Sequence, residues 1–300
     1  MHSRHFMNEE EDFKVGPRMQ RAWGTHIATA FFFGEAGAGL YFVSQFFDFT
    51  LGMALALLMV LIGKGGGHAI HLGQPLRGWR AFAKVGSSWI SRGLLAIAVF
   101  VGAGALHVLN LNAPFLPQAL SVLISIVAVL SCLVIMVYQG FAMSHSSAIT
   151  LWSTGLMPVA SLTYALLNGV LLTMVLGYNT PLLTDHPEIF QLLQASAIAL
   201  MLYGLVMVLS LLHGAKYGSE GGQKSVDLLV RGAFAGWFIP VVILLGFVVS
   251  ALFMSFAPRS LISMIAVAGT ELTGYYAFRV LMFKVATYDP VMTFAHHFKR

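Results

Sequence analysis

The sequence predicts an all-α integral membrane protein with eight transmembrane helices. Three observations lead there. Of the 300 residues 58% are hydrophobic, only 10% are charged, and the apolar residues fall in runs of about 20, the length that crosses roughly 30 Å of hydrocarbon at 1.5 Å per residue. The mean hydropathy of +0.80 is far above that of an ordinary soluble domain.

The runs occupy residues 23–47, 51–71, 91–110, 118–143, 154–178, 188–213, 230–255 and 260–282. The first twenty residues lack the continuous apolar core of a cleavable secretory signal, so the first run is expected to be retained as a span. An even number of spans returns the chain to its starting side, which puts both ends and the connections after the second, fourth and sixth spans on one face. Every Lys and Arg except Arg259 falls on that face. The positive-inside rule then makes it the cytoplasmic face. Residues 1–22 become a cytoplasmic segment, 23–282 the membrane domain and 283–300 a cytoplasmic tail. The net charge of +5 therefore reflects topology, and the expected partner surface is the lipid bilayer, with no nucleic acid. The acidic run at residues 9–12 and the polar stretch GSEGGQKS at 218–225 are too short to fold alone.

One cysteine, Cys132, lies inside an apolar run. It leaves no disulfide framework, no Cys-ligated zinc or iron–sulfur centre and no CxxC motif within this chain, so any such metal is expected in a partner.

Polar residues gather at the ends of the spans. His26, His68, His71, His145 and His213 all fall on the face that carries the termini, and Lys64, His68 and His71 form one stripe if the helix continues through them. Tyr138 and His145 share another stripe, with Gln139 beside it. Taken singly, such residues are ordinary interfacial side chains that snorkel to the headgroups. Their convergence from several helices predicts a concave site under an apolar roof, suited to an amphipathic ring with two polar oxygens. Glu35 and Glu271 lie deeper, each about a dozen residues into its span, near the bilayer middle. Neither shows a cationic partner at its depth in the sequence. Each reads either as a relay group or as a protonated acid bonded between helices. Glu271, Tyr275 and Phe278 share a helix face, whereas Glu35 is out of phase with His26.

The stretch after the second span is unusually specific. "HLGQPLRGW" at 71–79 followed by "SSWISRG" at 87–93 resembles the LGxPxRxW and SWxSxG signature of the NrfD-type family, the membrane subunits of polysulfide reductase-like and DMSO reductase-like complexes. "YQG" at 138–140, Trp152, Pro158, Asn168-Gly169 and the opening "WGTHIATAFFFGEAGAGLYF" at 23–42 look like further landmarks of that family. The resemblance implies two four-helix bundles, a menaquinone or ubiquinone site near the membrane surface, and a ferredoxin-like iron–sulfur subunit docked over it that exchanges electrons with a molybdopterin oxidoreductase subunit. It makes His26, Tyr138 and His71 the expected catalytic residues. The residues themselves add His68, Arg77, Gln139 and Trp89 to the expected quinone site, give Glu35 and Glu271 as proton relays by their depth, and leave no metal expected in this chain; the resemblance places the complex in the cytoplasmic (inner) membrane of a bacterial or archaeal cell. Glu35 stands where the family more often has glycine, and Thr25 and Gln139 need not match its usual choices.

The residue types suit that chemistry. Quinol oxidation releases two electrons and two protons, so the site needs an acceptor near each hydroxyl; imidazole accepts a proton at neutral pH and a tyrosine hydroxyl orients a quinone oxygen. The loop's cations, Arg77, Arg80, Lys84 and Arg92, stand at the mouth to meet quinolate, acidic lipid or an acidic partner. Three rivals remain: a proton-coupled transporter using Glu35 and Glu271, expected to break helices at mid-membrane; a heme b anchor with paired inward histidines; and a non-enzymatic assembly anchor.

Overall fold

The computed structural model describes residues 16–71 and 75–290. The acidic run at 9–12, Gly73 and the cations Arg4, Lys14, Lys299 and Arg300 lie outside the described residues, as does the side chain of His71. Eight helices are long and apolar enough to cross a membrane. They are α1 (Thr25–Gln45), α2 (Thr50–Ile70), α3 (Trp89–Asn112), α4 (Gln118–Ser144), α5 (Leu156–Gly177), α6 (Pro187–Gly218), α8 (Ala235–Phe256) and α9 (Leu261–Lys284), with a short helix, α7 (Glu220–Val230), between α6 and α8. Helices are the outcome physics requires, because lipid supplies no hydrogen-bond partners and each backbone must satisfy itself. Serine caps start three of them: Ser88, Ser219 and Ser260 accept from the backbone N–H of Ser91, Gly222 and Ser263.

The packing order follows residue size. α1 and α5 are the most enclosed spans, 78% and 67% buried, against 22–39% for the other six. Small residues let them touch. A Cβ at Gly39 would run into the carbonyl of Ala165, and one at Gly169 into the carbonyl of Gly39, so the two backbones are in direct contact. Around this centre α1–α4 form one group, with Tyr41, Met53, Phe100 and Ile135 in its core. The group of α5, α6, α8 and α9 shares a second core that includes Tyr164, Met201, Phe247 and Phe278. α1 also packs on α9, which joins the groups.

Two spans leave α-helical geometry. Met59–Lys64 in α2 and Phe238–Val249 in α8, the latter containing Pro240, are π-helical, which shifts the register of all that follows. The stretch 71–93, expected as a loop, contains a 3-10 helix, Pro75–Lys84, and the polar stretch 218–225 enters amphipathic α7.

The described ends meet on one face. A two-residue strand, β1 (Arg18–Met19), pairs antiparallel with β2 (Thr287–Tyr288). Just beyond it Asp289 accepts hydrogen bonds from Thr150 Oγ1 and Ser219 Oγ, both at 2.5 Å, and from the Gly221 N–H at 3.0 Å. This carboxylate ties the C-terminal segment to the α4–α5 and α6–α7 connections on the face that carries the termini.

Candidate functional site

The centre of the site is a buried ion pair that crosses from α1 to α9. Arg279 Nη2 donates to Glu35 Oε1 at 2.7 Å and Oε2 at 2.6 Å, and Nε donates to Oε2 at 3.1 Å. Both side chains are fully buried. Tyr275 Oη donates to Glu35 Oε2 as well, and Arg279 Nη2 donates to Ser161 Oγ on α5 at 2.8 Å. Glu35 is ten residues along α1 and Arg279 five from the end of α9, so the pair sits about 8–15 Å beneath the termini-bearing face at 1.5 Å per residue. In a low-dielectric setting a charge persists only when paired and hydrogen-bonded, and this one is. The pair corrects the expectation that Glu35 has no cation at its depth. Arg279 was counted among the surface cations of the near face; its long side chain instead reaches inward.

Beside the pair lies Lys64, also fully buried and likewise counted at the surface in the charge tally. The π-helical turn of α2 ends at Lys64. Its Nζ lies 4.7 Å from the centre of the Tyr138 ring and 5.5 Å from that of Phe31. With the Gln139 amide oriented by its hydrogen bonds, Oε1 accepts from Lys64 Nζ at 3.0 Å and Nε2 donates to the Phe31 carbonyl at 3.3 Å. Two glycines make the room. A Cβ at Gly34 would meet Lys64 Cδ and Nζ at 2.6 Å and the Gln139 side-chain amide at 2.8 Å, and one at Gly93 would run into the Tyr138 ring. The third residue of the YQG motif has a packing role: Gly140 abuts the backbone of Pro158 on α5.

The near-surface mouth is built on Trp89. Its ring stacks on Phe141 at 4.3 Å and 10°, and the Arg92 guanidinium covers it at 4.6 Å. Arg92 also donates to the carbonyls of Val85 and Gly86 at 3.0 and 2.7 Å, so this cation holds the loop's shape. Arg77, Arg80 and Lys84 are exposed.

The sequence-predicted site residues therefore divide. Tyr138, Gln139, Lys64 and Glu35 come together. His68 is half-buried on the last turns of α2. His26, His145 and His213 are exposed, which takes three of the five histidines out of the expected convergence; His26 sits on α1 opposite the face that buries Glu35. The concave pocket expected there is closed around Tyr138, which is 3% exposed. Glu271 is buried on the Tyr275 and Phe278 face of α9, as its spacing required, and among the described residues no protein group bonds either carboxyl oxygen. Sequence reasoning missed Arg279 and Ser161. The signal for Arg279 was present: it lies four residues past Tyr275 and eight past Glu271, on the same stripe.

Eight spans, six of them around two centrally packed ones, with a charged cluster sealed beneath one surface, define a polytopic membrane subunit with an internal polar site. A family model described as the DMSO reductase anchor subunit (DmsC) matches residues 49–278. That is most of the chain, and the chain belongs to this family: it is a membrane anchor subunit of a DMSO reductase-type complex, an oxidoreductase. NrfD-type proteins, which the loop motif resembles, form a related but distinct family. The matched stretch excludes α1 and stops one residue short of Arg279. No curated protein matches the chain.

Proposed function

We propose that this anchor oxidises quinol, or reduces quinone, at the termini-bearing surface and exchanges the electrons with an iron–sulfur subunit docked there, which serves a molybdopterin catalytic subunit. The observation that carries the reading is the Lys64, Gln139 and Tyr138 contact set lying against the Glu35–Arg279 pair: hydrogen-bonding and charged groups concentrated about 8–15 Å beneath the termini-bearing face. An amphipathic two-electron carrier arrives through the bilayer, and such a cluster is what its oxygens require. Menaquinone and ubiquinone both meet this description.

In this reading the ring docks where Trp89, Phe141 and the edge of Tyr138 meet. Tyr138 orients one oxygen. His68 and His71, at the end of α2, accept protons as quinol becomes quinone, two electrons and two protons. Lys64 and Arg279 balance negative charge that develops on the oxygen nearest them, and Glu35 holds Arg279 in place. His26, being exposed, is assigned to the rim. Arg77, Arg80 and Lys84 face outward to meet an acidic partner surface, which sets them in the cytoplasm if the charge asymmetry governs orientation. Taking buried Lys64 and Arg279 out of the charge tally leaves that asymmetry standing.

The test uses the assembled complex. Tyr138→Phe and Gln139→Leu are expected to lower kcat/KM for a quinol analogue about tenfold or more, in the range that general acid–base and orienting groups supply. Reduction of substrate by an artificial donor that feeds the catalytic subunit directly should be unchanged. Quinol oxidation at the parental rate by both variants would refute the site.

A further inference from the structure

Two contacts join a stripe of α5 to a stripe of α9, and both stripes continue inward to a polar residue at matching depth. On α5, Ser161, Tyr164 and Asn168 are spaced by three and four; on antiparallel α9, Arg279, Tyr275 and Glu271 are spaced by four and four, so each set forms a stripe. The outer rung is the Arg279 to Ser161 hydrogen bond at 2.8 Å. The middle rung is the Tyr164 ring stacked on Tyr275 at 4.4 Å and 24°. Asn168 is twelve residues into α5 and Glu271 thirteen from the end of α9, so both lie about 18–20 Å below the near face.

The inner end of this ladder is unfinished in protein terms. Tyr164 Oη, both amide atoms of Asn168 and both carboxyl oxygens of Glu271 are buried without a protein hydrogen-bond partner. Of the six such side-chain atoms among the described residues, these are five. Buried polar groups in folded proteins are bonded to protein or, failing that, to ordered water. Dispersed orphans would each need a separate explanation, whereas five on two facing stripes need one. Charge settles the state of the acid. Glu35 keeps its charge beside Arg279; Glu271 has no cation bonded to it, and an unpaired carboxylate at mid-membrane is far costlier than the neutral acid.

We propose that Glu271, Tyr164 and Asn168 form an internal station that binds water and holds one exchangeable proton on Glu271, joined to the Glu35–Arg279 cluster through the two stacked tyrosines. The ligand class is water and the proton it carries. The station deepens the quinol reading, since it gives a proton released at the surface site a place to go, and it rests on that reading only for the proton's source.

The test is infrared spectroscopy on the assembled complex in lipid nanodiscs, without turnover, so its outcome does not depend on quinol chemistry. Subtracting the spectrum of Glu271→Gln from that of the parent is expected to isolate the carbonyl stretch of a protonated carboxylic acid, and transfer to D₂O should shift it to lower wavenumber. Glu35→Gln should retain the band. Asn168→Leu and Tyr164→Phe, which keep the acid, are expected to retain the band and lose its shift over the same interval. If Glu271→Gln fails to assemble, these two variants supply the comparison. Absence of a Glu271-dependent band, a band in the parent that ignores D₂O, or an unaltered shift in both Asn168→Leu and Tyr164→Phe would each overturn the proposal.

Discussion

Removing the Glu35 carboxylate strands a guanidinium in the membrane interior, and the size of the penalty follows from the geometry. Arg279 makes three close contacts to the two carboxylate oxygens, at 2.6, 2.7 and 3.1 Å, and one to Ser161 at 2.8 Å. With both side chains fully buried, solvent cannot take over the lost partner. Breaking a buried pair from one side costs about 3–5 kcal/mol, equal to about two to four powers of ten in the folding equilibrium. Glu35→Gln and Arg279→Met are each expected to show a loss of that order. The double variant removes both charges and should recover most of it, because an apolar replacement of a buried pair is often neutral or better. The assay is SDS-titrated unfolding in mixed micelles followed by tryptophan fluorescence, with the four proteins forming a double-mutant cycle. Additive losses, or single variants within about 1 kcal/mol of the parent, the level of an exposed pair, would refute the claim that the pair is isolated from water.

Two further outcomes test the frame around the site. Gly39→Leu drives a side chain into the Ala165 carbonyl and should cost at least about 1–3 kcal/mol by overpacking, while Gly102→Leu, where nothing lies within 4 Å of the added Cβ, should be silent; equal yields of folded protein would argue against the α1–α5 contact. Asp289→Ala removes the acceptor for Thr150, Ser219 and Gly221, bonds worth about 1.5–3 kcal/mol each to a charged group. Limited proteolysis should then cut the α4–α5 and α6–α7 connections faster with the spans intact, and unchanged cleavage would dismiss the latch.

Much of the fold was legible because a bilayer imposes one length on every crossing. The eight apolar runs match the eight helices within a few residues, and the larger differences have local causes. The run at 188–213 continues to Gly218 because α6 extends past the membrane on polar turns, and the run starting at 230 begins a helix only at Ala235 because α7 ends at Val230 and Arg231 caps it. The site was legible in its parts and not in its connections. Tyr138, Gln139, Lys64, Glu35 and Glu271 all stood out as polar residues in apolar runs. Counting histidines toward one face misled, because a residue at a helix end can point in any direction and nothing in the sequence distinguishes the buried side.

What the sequence determined by itself is the set of crossings, the shared face for both ends, and the presence of two acids well inside their spans, since each depends on run length, parity or position along one helix. The tertiary structure alone decided that Glu35 is paired and that, among the described residues, no protein group bonds Glu271. Pairing depends on which distant helix arrives at the same depth, and it is the glycine contact between α1 and α5 and the packing of α9 on both that brings Arg279 to Glu35 while leaving Glu271 about two turns further along α9.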